Sequence, residues 1–280
     1  MSEAARQLQL SPAAIAQQMR VLEADMGCPL LVRQGRNVKP NGAGQRLYEK
    51  GVELLRNLHD LRGHVMDEES TGELRLGTVN TALHGLLPEV LCSFTQQHPR
   101  VRVHIRTAQA PELYTALLHN ELDAALCLKP AFELPKSVVW RSLRREPLVV
   151  LVPSGMTTEN PLELLRTQPL VRYDRRLGGG KLADEYLKSM GITVQERFEI
   201  NSVLAIAMLV EQGLGIGLVP HIGKVLTQGR LLHALPVPCG SSNAGREVGL
   251  LWMRFSPKAR RVEQLLQCAE ALQDNTTLHK

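Results

Sequence analysis

Ser11-Pro12-Ala13-Ala14-Ile15-Ala16-Gln17-Gln18-Met19-Arg20 is the stretch of this 280-residue chain whose side chains offer the most specific chemistry. Ser11 can cap a helix, and Pro12 then takes the first helical position, where a missing N–H costs nothing. The apolar set Ala14, Ile15, Met19, Leu22 and Met26 recurs at helical spacing, so one face is expected to pack inward. Ala13, Ala16, Gln17 and Arg20 share the opposite face. A glutamine amide, Gln17 or Gln18, pairs bidentately with adenine, and Arg20 suits a phosphate or a guanine. This is the chemistry of reading a major groove.

A second group of polar residues is spread along the rest of the chain. Asn80-Thr81-Ala82, Thr107, Lys129 and Asn201-Ser202 each follow a strand-like run or precede a helix-like one. Hydroxyls, amides and free helix N–H groups suit a small polar or anionic ligand, and Lys129 adds attraction. Other motifs fail on spacing. Gly178-Gly179-Gly180-Lys181 lacks the GxxxxGK[ST] pattern, and Leu182 stands where a magnesium-binding hydroxyl is needed. Gly213-Leu214-Gly215-Ile216-Gly217 precedes a strand and reads as a turn rather than a dinucleotide loop. His84, His104, His119, His221 and His233 are isolated, so no metal set is expected. Neither paired catalytic carboxylates nor a nucleophile constellation stands out, and we expect neither an enzyme nor a cofactor.

The first group needs a scaffold, and the flanking sequence supplies one. A short helical segment over 3–8 precedes the capped helix across a tight connection, as in a helix-turn-helix. Gly27 closes the second helix. A ribbon follows, 30–33 and 38–40 around a turn at 34–37, with Arg33, Arg36 and Lys39 about its tip like a wing. Residues 1–44 hold five basic residues against three acidic ones, so placement matters more than total charge. From 45 to 66 a continuous helix is expected, with Leu47, Leu54, Leu58, Leu61 and Val65 spaced by seven, four, three and four. Leu55 widens that stripe, which approximates a heptad seam roughly 33 Å long. It favours a partner helix and hence a dimer. Gly51 weakens the helix interior by about 1 kcal/mol, and residues 67–72 form a polar hinge.

Beyond the hinge, strands and helices alternate. Strands are expected at 74–79, 101–106, 123–128, 138–143, 148–152, 169–172, 193–198, 216–219, 231–234 and 248–253. Helices are expected at 86–97, 112–119, 181–190, 202–212 and 257–272. Such alternation predicts an α/β architecture of mostly parallel sheets covered by helices. Over 73–280 it divides into lobe I, 73–155 plus 247–280, and lobe II, 160–240. The lobes are expected to join near 153–158 and again near 238–246. Ligands in such folds bind between lobes, at the carboxyl ends of strands. The net charge of +5 is compatible with DNA without requiring it. Five scattered cysteines without CxxC spacing read as reduced thiols, no apolar run is long enough to span a membrane, and the start lacks a secretory hydrophobic region. A cytoplasmic location is therefore expected.

Taken in order, several motifs resemble one family. Ala4-Ala5-Arg6-Gln7-Leu8 resembles the first helix of a family helix-turn-helix, and Ser11 through Glu23 its recognition helix with the closing Leu-Glu. Pro29-Leu30-Leu31-Val32-Arg33 and Ala43-Gly44 resemble the wing and its exit. Gly213-Leu214-Gly215-Ile216-Gly217-Leu218-Val219-Pro220 resembles a stretch of the second lobe. The whole chain resembles a LysR-type transcriptional regulator. The resemblance implies a winged helix-turn-helix, a dimerising linker helix and a two-lobed effector domain similar to periplasmic binding proteins. It implies promoter DNA as a partner of a homodimer or homotetramer, contact with RNA polymerase, and a small-molecule effector in the crevice. Gln17, Gln18, Arg20 and Arg36 match the family's DNA-facing regions, and Thr81, Thr107, Lys129 and Ser202 its effector-contact regions. Members usually carry a further helix ahead of Ala4, which makes the DNA-binding domain over 1–44 incomplete by comparison. Pro12 and Ala16 stand where glutamine and serine are common, and Asn41 where threonine is usual. Two alternatives share the fold: a sensor with weak or lost DNA binding, and a solute-binding protein, which would need a signal peptide and no DNA-reading head.

Overall fold

The computed structural model describes residues 2–34, 37–65, 72–156, 160–238 and 244–277. They fall into two compact units, Met1–Asp67 and Glu68–Lys280.

The first unit holds α1 (Ser2–Gln7), α2 (Pro12–Met26), the antiparallel ribbon β1 (Leu31–Gln34) and β2 (Asn37–Pro40), and α3 (Gly42–Val65). Local chemistry sets its boundaries. The Ser11 hydroxyl accepts from the Ala14 N–H at 3.1 Å, and Gly27 ends α2 in the left-handed region at φ +68°, a conformation cheap only for glycine. The Asn41 side chain accepts from the Gly44 N–H at 2.9 Å and donates to the Pro29 carbonyl at 2.7 Å. That cap starts α3 at Gly42, three residues before the expected 45. A β-carbon on Gly44 would run into the Leu30 carbonyl oxygen, so only glycine lets α3 leave the ribbon at this angle. Ala5, Ile15 and Leu30 are buried here, whereas Leu22 and Met26 are exposed. The inward face of α2 is thus narrower than the spacing of its apolar residues predicts.

The second unit begins with β3 (Gly72–Thr78), α4 (Asn80–Gly85), α5 (Leu87–Gln97), β4 (Val101–Thr107), α6 (Ala110–Leu118), β5 (Ala124–Leu128) and β6 (Val138–Pro153). It continues through α7 (Pro161–Thr167), β7 (Pro169–Tyr173), α8 (Gly178–Ser189), β8 (Gln195–Ile200), α9 (Val203–Glu211) and β9 (Gly217–Pro220). A 3₁₀ turn at Lys224–Leu226, β10 (Leu232–Pro236), β11 (Gly245–Met253) and α10 (Ala259–Thr277) complete it. In one lobe the strand order is β4-β3-β5-β11-β6, with β4, β3 and β5 parallel and β11 antiparallel to its neighbours. In the other, β6 pairs antiparallel with β9 and β10, while β7 and β8 pair parallel and join β9 through a Leu170–Ile216 bridge. Antiparallel pairs are therefore more frequent than expected, because β6 and β11 run between parallel neighbours as crossing strands.

The two strands expected at 138–143 and 148–152 are one strand, β6. Its first half belongs to the core of Leu74, Leu76, Phe94, Leu113 and Leu251. Leu148, Val150 and Val152 pack with Leu165 and Tyr186, and Val149 and Leu151 with Ile206 and Val219. Alternate residues thus feed two faces of the second lobe. Between Leu143 and Leu148 β6 passes from the first core to the second, and between Ala244 and Val248 β11 passes back. Arg144-Arg145-Glu146-Pro147 reads in sequence as a polar turn, but Glu146 is fully buried and paired. Two helices, α4 and α7, do not follow from the apolar spacing.

Candidate DNA-reading head and effector crevice

On α2, Ala13, Gln17, Gln18 and Arg20 are exposed and Ala16 is half-buried. The Arg20 guanidinium donates to the Gln17 amide oxygen at 2.6 Å, so these two side chains present a joined polar edge. Ser11 spends its hydroxyl oxygen on the cap. Arg33 is exposed on β1, and Lys39 is exposed on β2 opposite Val32. Arg36 lies outside the described residues. One residue that positions this ribbon has no role apparent from sequence: Glu23. Its Oε1 accepts from the Leu30 N–H at 2.7 Å and the Leu31 N–H at 3.2 Å, pinning the start of β1 to α2. On α3, Leu47 is half-buried, and Leu54 and Leu55 are 70% and 67% exposed. Leu58, Leu61 and Val65 lie on the same helix, and their side chains are outside the described residues.

The second unit gathers the ends of three parallel strands. Thr107 ends β4 beside Thr78 of β3, Thr81 sits on α4 directly after β3, and Lys129 follows β5. Their environments differ sharply. Thr81 is buried. Thr107 and Asn80 are exposed, and Ala82 packs into the core, where its methyl offers nothing to a ligand. The Lys129 ammonium stands 3.4 Å from Glu247 Oε2. In the other lobe, Asn201 is exposed, and the Ser202 hydroxyl accepts from the Ala205 N–H at 3.2 Å, capping α9. Ile200 at the end of β8 pairs with Tyr173 at the end of β7, which brings this loop beside Tyr173.

A buried ionic cluster joins the lobes, and no sequence expectation includes it. Glu146 Oε2 accepts from Arg246 Nε at 2.9 Å and Nη2 at 2.7 Å, and Oε1 accepts from Arg144 Nη2 at 2.7 Å. Arg246 Nη2 also donates to the Thr81 hydroxyl at 2.7 Å. Arg144 Nη2 donates to the Ile222 carbonyl at 3.0 Å, tying the first lobe to the turn after β9. The Tyr173 ring and Gly179 of α8 lie against the Arg246 guanidinium from the second lobe. Burial pushes the Tyr173 hydroxyl up, against the opposing pull of Arg246. Burial, then Arg144, pushes His221 down. Gly178 sits where a β-carbon would strike Leu128 of β5, so the lobes meet closely at this point. The available signal is a pair of charged segments, Arg144-Arg145-Glu146 and Arg246-Glu247, each close to a strongly apolar strand run.

A winged helix-turn-helix on a long helix, in one chain with a bilobal α/β unit whose lobes meet at a buried ionic cluster, is the architecture of a ligand-responsive transcriptional regulator. A family model described as "Bacterial regulatory helix-turn-helix protein, lysR family" matches residues 1–45, and "LysR substrate binding domain" matches 67–273. The chain belongs to the LysR family of transcriptional regulators. It is 28% identical over 270 residues to the HTH-type transcriptional regulator YnfL of Escherichia coli (strain K12), covering 92% of this chain and 89% of that protein. It is also 28% identical over 260 residues to IlvR of Caulobacter vibrioides, covering 90% and 86%. In fold it is similar to full-length CbnR complexed with its target DNA, with a TM-score of 0.65 at 20% identity, covering 95% of this chain and 93% of that one. No helix among the described residues is long and apolar enough to cross a membrane.

Proposed function

We propose that this regulator binds promoter DNA as a homodimer or homotetramer through Ser11, Ala13, Ala16, Gln17, Gln18, Arg20, Arg33 and Arg36. In this reading a small molecule in the interlobe crevice, near Thr81, Thr107, Lys129 and Ser202, shifts that binding. Leu47, Leu54, Leu58, Leu61 and Val65 supply the dimer seam, RNA polymerase is met at the promoter, and the protein acts in the cytoplasm without catalysing a reaction. The observation that carries the reading is the exposed Gln17–Arg20 pair on a helix capped by Ser11, beside a ribbon whose start Glu23 holds. Leu54 and Leu55 support the seam: two large apolar side chains exposed on a long helix call for a partner. CbnR, similar in fold, forms a complex with its target DNA, which supports the same kind of partner here.

The test is a salt-dependent titration of the full chain against the region upstream of its own gene, with random DNA as control. Specific binding that weakens steeply with salt is the expected result. Replacing Gln17 and Arg20 together by Ala should remove the sequence preference while the oligomer persists. Unchanged preference in that variant refutes the assignment of α2.

A further inference from the structure

The outward face of α2 is short of hydrogen-bond acceptors. Ala13, Ala16, Gln17 and Arg20 lie opposite the buried Ile15, and among them only Gln17 carries a side-chain oxygen. Ser11, at the head of the helix, has its hydroxyl oxygen turned to the Ala14 N–H at 3.1 Å. Glu23, one turn past Arg20, has its Oε1 turned to the Leu30 and Leu31 N–H groups at 2.7 and 3.2 Å. Gln18 is exposed, but it lies about 100° round the helix from Gln17, on the flank.

The Gln17 oxygen is itself engaged. Arg20 Nη2 donates to Gln17 Oε1 at 2.6 Å, a charge-assisted bond. A guanidinium has donors and no acceptor, so only the amide oxygen can face it, and the Gln17 NH2 group is turned away. What the pair presents outward is therefore a set of donors, Gln17 Nε2 with the other N–H groups of Arg20. Adenine shows the major groove an acceptor, N7, and a donor, its N6 amino group, so reading it bidentately needs a free acceptor beside a donor. Gln17 supplies both only by turning the second lone pair of Oε1 to that amino group, which sets the adenine N–H dipoles beside the Arg20 charge. Guanine shows acceptors alone, O6 and N7, and attracts the same charge.

We propose that α2 reads guanine through the donor edge that Gln17 and Arg20 form together, and that Arg20 decides between guanine and adenine by holding the Gln17 oxygen. This rests on the reading that α2 is the helix that enters the major groove. It replaces the pairing with adenine that the Gln17 amide alone predicts. Ala13 and Ala16 add methyl groups, which suit a thymine methyl. Ala13 and Arg20 stand roughly 10 Å apart along the helix, so that thymine falls within about three base steps of the guanine. One consequence separates this arrangement from two side chains reading independently. Removing Arg20 frees Oε1, and Gln17 then holds an acceptor and a donor side by side, the set that adenine needs.

The experiment uses the full chain to select duplexes from a randomised library at fixed salt, and the selected site is then titrated directly. The parent should select a guanine whose replacement by adenine lowers affinity roughly 5- to 150-fold. 7-Deazaguanine, which lacks N7, should lower it less, and inosine, which keeps O6 and N7, should leave it unchanged. Arg20→Ala should exchange guanine for adenine at that position, and Gln17→Ala should keep guanine at reduced affinity. Both side chains are exposed, so neither substitution opens the core. An adenine selected by the parent and kept in Arg20→Ala overturns the proposal and leaves α2 as the reading helix through Gln17. Guanine kept in Arg20→Ala, with a uniform loss across sequences and a salt slope lower by about one, makes Arg20 a phosphate contact and likewise overturns it. Loss of guanine there without any gain of adenine refutes the hold on the Gln17 oxygen. A parent that selects no sequence, or a preference and affinity that survive both substitutions, removes the assignment of α2 as well.

Discussion

Replacing Glu23 by Ala should weaken DNA binding even though it removes a negative charge from a DNA-facing unit. That sign separates a structural role from an electrostatic one. Glu23 Oε1 accepts two backbone N–H groups, Leu30 at 2.7 Å and Leu31 at 3.2 Å. A hydrogen bond to a charged acceptor contributes about 1.5–3 kcal/mol, and losing the acceptor strands the donor as well. Leu30 is buried, so its amide has little water to fall back on. The two bonds share one oxygen and do not add, which puts the expected loss at about 2–3 kcal/mol for Ala and about 1 kcal/mol for Gln. The first figure lowers the docked population of the ribbon roughly 30- to 150-fold relative to its undocked form. Amide hydrogen exchange at Leu30 and Leu31 should accelerate accordingly. DNA affinity should fall with an unchanged slope against log salt, because no phosphate contact is removed, whereas Arg33→Ala should reduce that slope by about one. Parental exchange at Leu30 in Glu23→Ala, or tighter DNA binding by both variants, would refute the reasoning.

Further expectations concern the second unit. Burial pushes the Cys127 thiol up to about 12, so at pH 8 only about one molecule in ten thousand carries the thiolate. A disulfide reagent should therefore spare Cys127 in the native chain while modifying exposed Cys92, and rapid native labelling of Cys127 would contradict its packing. The Lys188 ammonium, with Arg172 and against burial, holds Asp184 below the usual carboxylate range. A depressed folded pKa adds stability that is present above the unfolded value, about 3.9, and lost as the pH falls through the folded one. The acid limb of a stability curve should accordingly flatten in Asp184→Asn; an identical limb below pH 4 would count against the pairing. Gly180→Ala places a β-carbon onto the Asp174 and Tyr173 carbonyls and should cost about 1–3 kcal/mol, measured by urea unfolding.

Features decided by neighbours in sequence are legible; features decided by distant pairing are not. Ser11, Pro12 and Gly27 bound α2 because caps act within one turn. Asn41 likewise starts α3, although the first residues of that helix carry little apolar signal. α7 has a readable start in Asn160-Pro161, whose amide oxygen accepts from Leu162 and Glu163 at 3.1 and 3.4 Å, but it is too short to show a periodic face. α4 has no side-chain cap and leaves no local mark. Strand β6 misleads most. Glu146 inside an apolar run reads as a break, because burying a carboxylate is costly unless it is paired. Its partner Arg246 lies 100 residues away, and no local pattern announces it. Arg246 falls at the end of the expected lobe join, and nothing local there points to Glu146 either. Thr81 stands out in sequence because it follows a strand; what it touches does not.

The position of the cluster also limits what an effector can do there. β6 and β11 cross between lobes at 144–147 and 244–247, and the β6–β11 ladder shifts register between Val248 and Gly249. A β-carbon on Gly249 would strike the Arg141 carbonyl oxygen, so that irregularity depends on glycine. A rotation of one lobe against the other would be absorbed near this crossing, where Arg246 stands. A ligand shifts such an equilibrium only by its difference in affinity for the two arrangements. Moving a population from 1:99 to 99:1 needs about 5.5 kcal/mol, whereas one charge-assisted hydrogen bond supplies about 1.5–3 kcal/mol. A single new bond in the crevice is therefore insufficient as a complete switch. Either the two arrangements are nearly balanced beforehand, or binding also changes the Glu146–Arg144 and Arg144–Ile222 contacts that link the lobes. Arg144→Ala, which deletes both contacts without touching the Thr81–Arg246 pair, separates these cases. An unchanged ligand-induced shift in DNA affinity favours pre-existing balance, and a diminished shift at full ligand occupancy places part of the coupling energy in Arg144.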